Sequence, residues 1–281
     1  MADTPSYRHL AVERRGRLAL VTINAPPINV ITPALAQDLV TLGNELAADQ
    51  ALSVVVLKSA HPDFFLAHFD VETILSFPTH TTAERDQELN WFHRLCEQLR
   101  TLPVVTIAQI EGRVGGGGSE IASSCDMRFG VPGKSTVCQM EVPLGILPGG
   151  SGTQRLPRLV GRGRALEIIL GGDDIDAETA ERWGYYNRLF PADEIDARVL
   201  ALAERMAAFP PEALRLAKQA VNAGEPAAEP GLREEAYLFQ RLLRTDAAQA
   251  RMRRFMALGG QTAEVELRVG AVGAELNSDD S

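Results

Sequence analysis

The sequence predicts a layered α/β core followed by a helical module, and three observations carry that prediction. Residues 53–58 (SVVVLK) and 104–110 (VVTIAQI) are short, nearly continuous apolar runs, the pattern of strands covered on both faces. Amphipathic stretches with helical spacing alternate with these runs, as crossover connections in a layered α/β core require. Beyond Pro191 the strand signals stop and helical ones continue.

In chain order, residues 17–24 (RLALVTIN) form a β-rich run that ends at Ala25-Pro26-Pro27, where proline cannot donate to a ladder. Thr32-Pro33 reads as an N-cap followed by proline at the first helical position. Leu35, Leu39, Leu42 and Leu46 then mark a helix with one buried stripe. The strand at 53–58 follows, then a second helix carrying Leu89, Phe92, Leu95 and Leu99 on one side, then the strand at 104–110. Glycines cluster in the middle third, at 115–118 and again at 145, 149, 150 and 152. Residues 196–208, 211–223 and 232–257 read as helices, delimited by Pro210-Pro211, Gly224 and the stretch 225–231. The expected division is a core at 1–191, a helical module at 192–258, and a poorly ordered acidic tail at 259–281.

Composition narrows the function. The chain has 281 residues, 45% apolar and 23% charged, which excludes wholesale disorder. No apolar run approaches the ~18–20 residues needed to span a bilayer, and the N-terminus lacks a basic-then-apolar leader, so a soluble cytoplasmic protein is expected. Three cysteines are too few and too scattered for a disulfide framework or a zinc finger. A net charge of -9 repels a phosphate backbone, against non-specific nucleic-acid binding.

Several motifs fail on inspection. Gly133-Lys134-Ser135 resembles the end of a phosphate loop, but Arg128 stands where its first glycine belongs. The run from Gly149 to Thr153 starts like a nucleophile elbow and ends on threonine instead of glycine. No G-x-G-x-x-G follows a strand, and the histidines at 9, 61, 68, 80 and 93 show no metal-ligand spacing. Residues 107–126 (IAQIEGRVGGGGSEIASSCD) are different: a buried strand ends in four glycines that lead into a helix. Side-chain-free backbone at a helix N-terminus offers free N–H groups and a favourable dipole to developing negative charge. That is how an oxyanion hole is built, and losing one of its donors costs about 3–4 kcal/mol of barrier. Glu120 lies about one helical turn beyond Gly117. Twenty-one residues further on, Glu141 opens a rigid Pro/Gly loop, EVPLGILPGG. Two carboxylates on separate rigid elements can clamp a water between them, one taking its proton while the other delivers one. On composition alone, the same residues also fit a glycine turn beside solvated glutamates.

These segments resemble the crotonase, or enoyl-CoA hydratase/isomerase, superfamily over roughly residues 17–255. The likeness is specific in four places: residues 107–120; residues 141–156, with the continuation PGGSGTQRL; Phe65-Leu66-Ala67-His68-Phe69-Asp70, where the family has F-x-A-G-x-D; and residues 172–184 (GDDIDAETAERWG). The resemblance implies a crotonase-like spiral core of repeated ββα units with a C-terminal helical module that packs between subunits, giving a homotrimer or a dimer of trimers. It implies an acyl-CoA thioester substrate, with no metal and no cofactor beyond the coenzyme A of the substrate. It assigns Glu120 to water activation and Glu141 to proton exchange at the α-carbon, and the backbone N–H groups of Ala67 and Gly117 to the oxyanion hole. Ala67, His68, Phe69, Asp70, Gly116 and Gly149 would contact substrate. Retention of both glutamates favours hydration of a 2-enoyl-CoA. Isomerisation, retro-aldol cleavage and a non-catalytic acyl-CoA-binding subunit are the alternatives. The main departure is His68 in place of a glycine, at a position where a positive φ is the expected requirement.

Overall fold

The structure, a computed structural model, describes residues 7–276. Strands β1 (Leu10–Arg15) and β2 (Leu18–Ile23) form an antiparallel hairpin. Every residue of β1 except Leu10 is exposed. Helix α1 (Pro33–Ala48) starts as expected, with the Thr32 hydroxyl accepting from the Leu35 N–H at 3.3 Å.

The chain then repeats one motif: β3 (Val54–Ser59) and β4 (Phe64–Leu66) precede α2 (Val71–Leu75) and α3 (Trp91–Thr101). The second repeat is β5 (Val105–Ile110), β6 (Arg113–Gly115) and α4 (Gly116–Ser124). The third is β7 (Met127–Gly130), β8 (Thr136–Cys138), α5 (Gly152–Val160) and α6 (Arg162–Gly171). Short strands β9 (Ile175–Asp176) and β10 (Arg188–Leu189) flank α7 (Ala177–Trp183). The first strand of each repeat joins one sheet, ordered β1-β2-β3-β5-β7-β10, and the second joins another, ordered β4-β6-β8-β9. Within each sheet the strands from successive repeats pair in parallel. This is the spiral of ββα units expected from the resemblance, and β5 at its centre is buried at all six positions.

The C-terminal helices wrap this spiral. Helix α8 (Ile195–Ala207) covers the larger sheet, packing Ile195, Val199, Ala203 and Met206 with Val54, Val56, Ile107 and Phe129. Helix α9 (Pro211–Ala223) buries none of its residues. The helical stretch expected at 232–257 is two helices, α10 (Glu229–Leu243) and α11 (Asp246–Ala257), because the Thr245 hydroxyl caps a new start by accepting from Ala248 N–H. One expectation is overturned here. Residues 259–276 are not a poorly ordered tail: they contain α12 (Ala263–Glu266) and α13 (Val269–Glu275). Val265, Val269, Val272 and Leu276 bury their side chains with Leu144, Ile146, Met252 and Phe255, so apolar burial holds the segment down. Residues 277–281, also assigned to that tail, lie outside the described residues.

Candidate active site

Helix α4 begins inside the glycine run instead of after it, with Gly116, Gly117 and Gly118 forming its first turn. A side chain on Gly116 would have to adopt φ +42°, and its Cβ would lie 2.8 Å from Glu141 Oε1 and 3.0 Å from His68 Cβ. The chain thus spends its smallest residue where three functional segments meet. One turn on, Glu120 is 2% exposed, and its Oε1 accepts the N–H groups of Gly150 (2.8 Å) and Gly152 (2.7 Å). A Cβ on Gly150 would meet Glu120 Oε2 at 2.6 Å and collide with Phe92, so this loop approaches the carboxylate only as glycine.

Glu141 follows β8 in a tight turn in which its carbonyl accepts from Leu144 N–H (3.0 Å) and Ile146 N–H (3.1 Å). With the Gln139 amide turned to donate, its nitrogen is 2.8 Å from Glu141 Oε2. Burial pushes the Glu141 carboxyl up to about 7, against its own backbone N–H and the charge of His68, and Glu235 adds to the rise. Burial, then the charges of Glu235 and Glu141, holds the Glu120 carboxyl well above the usual range, moderated by the Gly152 and Gly150 amides. Two buried acids that resist ionising together are the arrangement expected of an acid/base pair.

Both glutamates line one cavity of about 430 Å³. Gly117, Phe69, Gly149 and Gly150 share its wall, and Phe77, Trp91, Phe92 and Phe239 add four aromatic rings to it. Phe69 sits at the centre of that cluster, with ring centroids 5.8 Å from Phe92, 5.9 Å from Trp91 and 6.4 Å from Phe77. Of the residues expected to contact substrate, Phe69 and Gly149 are in the wall, whereas Ala67, His68, Asp70 and Gly116 are behind it. Asp70 instead caps α2, accepting from Thr73 Oγ1 at 2.5 Å.

Ala67 does not have the free N–H expected of it. That group donates to the Asn29 carbonyl at 3.2 Å. Two residues on, Phe69 bridges Ile31, but the bonds of that bridge run from Ile31 N–H to the His68 carbonyl and from Asp70 N–H to the Ile31 carbonyl. The Phe69 N–H is left on the opposite side, its nitrogen 3.3 Å from where a Gly117 Cβ would sit. Gly117 and Phe69, rather than Gly117 and Ala67, are the neighbouring amides.

His68 is buried without a positive φ, so glycine is not required there. Its Nδ1 is 2.8 Å from the Phe69 carbonyl and its Nε2 is 2.9 Å from Glu266 Oε1. Both partners only accept, so both ring nitrogens carry protons and the ring is an imidazolium. Burial works to lower its pKa, but the charge and hydrogen bond of Glu266 outweigh this and push it up to about 9. Glu266 also accepts the Gln261 N–H at 2.9 Å, and Gln261 Oε1 accepts from Val71 N–H at 2.7 Å, tying the C-terminal segment to the Ala67–Val71 turn.

Sequence reasoning missed Glu235, His93 and Glu266, all fully or almost fully buried. A signal was present: Glu235 falls on the apolar stripe of α10 with Leu232 and Leu243, and His93 on the buried face of α3 with Phe92 and Cys96. A charged residue on such a stripe needs partners.

Comparison with known proteins agrees with this geometry. The family model described as enoyl-CoA hydratase/isomerase matches residues 13–259. The 2,3-dehydroadipyl-CoA hydratase of Escherichia coli is 34% identical over 246 residues, covering 84% of this chain and 91% of that protein. The short-chain-enoyl-CoA hydratase of Clostridium acetobutylicum is 32% identical over 217 residues, 77% of this chain and 82% of that one. A crystal structure from Streptomyces avermitilis, assigned as an enoyl-CoA hydratase, superposes with a TM-score of 0.88 at 39% identity, covering 96% of this chain and 98% of that chain. A match across most of the chain, joined to the spiral core and the paired glutamates, places this protein in the enoyl-CoA hydratase/isomerase family.

Proposed function

We propose that the protein hydrates a 2-enoyl-CoA thioester to the 3-hydroxyacyl-CoA, and that one observation carries the reading: two buried carboxylates, Glu120 and Glu141, face the same cavity as two adjacent backbone amides. The amides of Gly117 and Phe69 hold the thioester oxygen as charge grows on it during attack at the β-carbon. Glu120 takes a proton from the attacking water, and Glu141 delivers one to the α-carbon. The pair works when it holds one proton between its members, which the raised pKa values of both favour near neutral pH. Proton transfer and oxyanion stabilisation account for every step, so the only cofactor involved is the coenzyme A carried by the substrate. Assembly as a homotrimer or dimer of trimers, and action in the cytoplasm, belong to the same proposal.

The aromatic wall supports acyl groups larger than four carbons. Loss of near-ultraviolet enoyl absorbance, followed on crotonyl-, 2-decenoyl- and cinnamoyl-CoA with product identification, tests this directly. The two bulkier thioesters are expected to have kcat/KM roughly tenfold above crotonyl-CoA, the scale set by added apolar contact. Glu120→Gln and Glu141→Gln should each lower kcat by about 100-fold or more while acyl-CoA binding stays within a few-fold. Full activity in either variant sinks the paired-acid mechanism. A shifted double bond or a cleaved chain as product assigns isomerase or lyase chemistry, and binding without turnover assigns a non-catalytic role.

A further inference from the structure

A third buried carboxylate stands behind the pair. Glu235, on α10, is 2% exposed, and its Oε1 accepts from Ser151 N–H (2.7 Å) and lies 2.8 Å from His93 Nε2. Its Oε2 accepts from Thr153 N–H (3.0 Å) and from the Thr153 hydroxyl. Four donors on two oxygens leave no room for a proton, so Glu235 is an anion. The loop it holds is the one that grips Glu120: Gly150 and Gly152 donate to Glu120, and Ser151 and Thr153 donate to Glu235. Alternate amides of four consecutive residues are thus divided between two acids. That division needs an unusual backbone, and Ser151 has φ +115°, a conformation costing a non-glycine residue roughly 1–3 kcal/mol. Strain of that kind persists only where its surroundings hold it.

We propose that Glu235, oriented by His93, is a positioning residue that fixes the Gly150–Thr153 loop and, as a negative charge beside Glu120, strengthens Glu120 as the base that takes a proton from water. The inference rests on the hydratase reading of the same site. The ionisable groups that face it are Glu120 on α4, Glu141 after β8 and His93 on α3, with Cys96 of α3 facing Glu120 and His68 facing Glu141. Among the described residues His93 Nδ1 has no hydrogen-bond partner, so Nε2 is the ring atom that engages Glu235.

The test compares Glu235→Gln, His93→Leu and His93→Gln with the native protein by pH-resolved steady-state kinetics on the preferred enoyl-CoA, with melting curves as a check of folding. Glu235→Gln is expected to lower kcat about 10–100-fold with KM within about threefold, the scale of losing a residue that orients a reacting group. It also removes a negative charge beside Glu120, so the acid limb of the kcat profile, where the base Glu120 becomes protonated, moves to lower pH. His93→Leu should follow it, and His93→Gln, which can still donate to Glu235, should recover most of the rate. A folded Glu235→Gln with native kcat and an unmoved acid limb overturns the proposal. So does a fall in kcat that tracks lost stability with no change in the pH profile. Independently of turnover, carboxyl 13C signals of labelled glutamate report the titration of Glu120, assigned through Glu120→Gln. A Glu120 midpoint that does not fall in Glu235→Gln overturns the proposal even if no thioester reacts, whereas a fall supports it while the absence of turnover counts only against the hydratase reading.

Discussion

His68 and Glu266 show how one replaced glycine changes what a site can do. A glycine would leave Glu266 buried without a cation, whereas the imidazolium satisfies it and anchors the turn whose next residue, Phe69, lines the cavity. Because the pKa of His68 is raised in the folded state, its contribution to stability is complete below its ordinary value of 6.5 and is lost as pH rises through about 9. Glu141, raised from 4.5 to about 7, and Glu120, raised well above its ordinary value, add declines of their own, so the His68 share is the difference between the native slope and that of a variant lacking the pair. Melting temperature should therefore fall more steeply between pH 8 and 9.5 in the native protein than in the His68→Gln/Glu266→Gln double variant. His68→Gln alone should cost about 3–5 kcal/mol, since it leaves a buried carboxylate unpaired. Melting curves across that pH range check both outcomes, and equal slopes in the native and double-variant proteins would remove His68 as the cause.

At the level of elements, the sequence made regular helices and buried strands legible and hid the irregular ones. The Thr32-Pro33 start of α1 and the continuous apolar run of β5 need no tertiary information, because cap chemistry and two-sided burial are local patterns. The segment at 263–276 was hidden even though Val265, Val269, Val272 and Leu276 keep a helical spacing. The break at Leu267-Arg268 and the glycines at 270 and 273 obscure it, and those glycines are explained only by what they touch, Asp173, Asp174 and Pro143. The two glutamates and Gly117 were legible from flanking sequence, whereas the Phe69 amide was not, since the direction of an N–H in a bridge depends on the partner strand. Ending the chain after Leu258 should lower the melting temperature by roughly 10 °C or more, because several buried aliphatic side chains worth about 1.5–3 kcal/mol each are lost together with the partner of His68. Calorimetry of the shortened chain measures this, and an unchanged transition would show that α12 and α13 contribute nothing.

Across the whole molecule, α9 is a helix that the single chain tethers but leaves without a buried residue. It buries no residue, and Leu216 and Val221 are 52% and 72% exposed, although Lys218 fixes the helix in place by donating to the Val104 carbonyl at 2.9 Å and pairing with Asp126 at 2.8 Å. A helix held in place with Leu216 and Val221 largely exposed fits a contact between copies, in keeping with the proposed trimer. Leu216→Asp/Val221→Asp should shift the sedimenting mass toward the monomer while leaving the fold of each chain intact. A native mass in that variant would move the interface elsewhere.

The partners that complete the cavity are far apart along the polypeptide: Glu235 is 142 residues beyond His93, and Glu266 is 198 beyond His68. At about 5–20 residues per second, a ribosome adds His93 roughly 7–28 s before Glu235 and His68 roughly 10–40 s before Glu266. Until then neither imidazole has the carboxylate that holds it, so both ties behind the cavity close only near the end of synthesis.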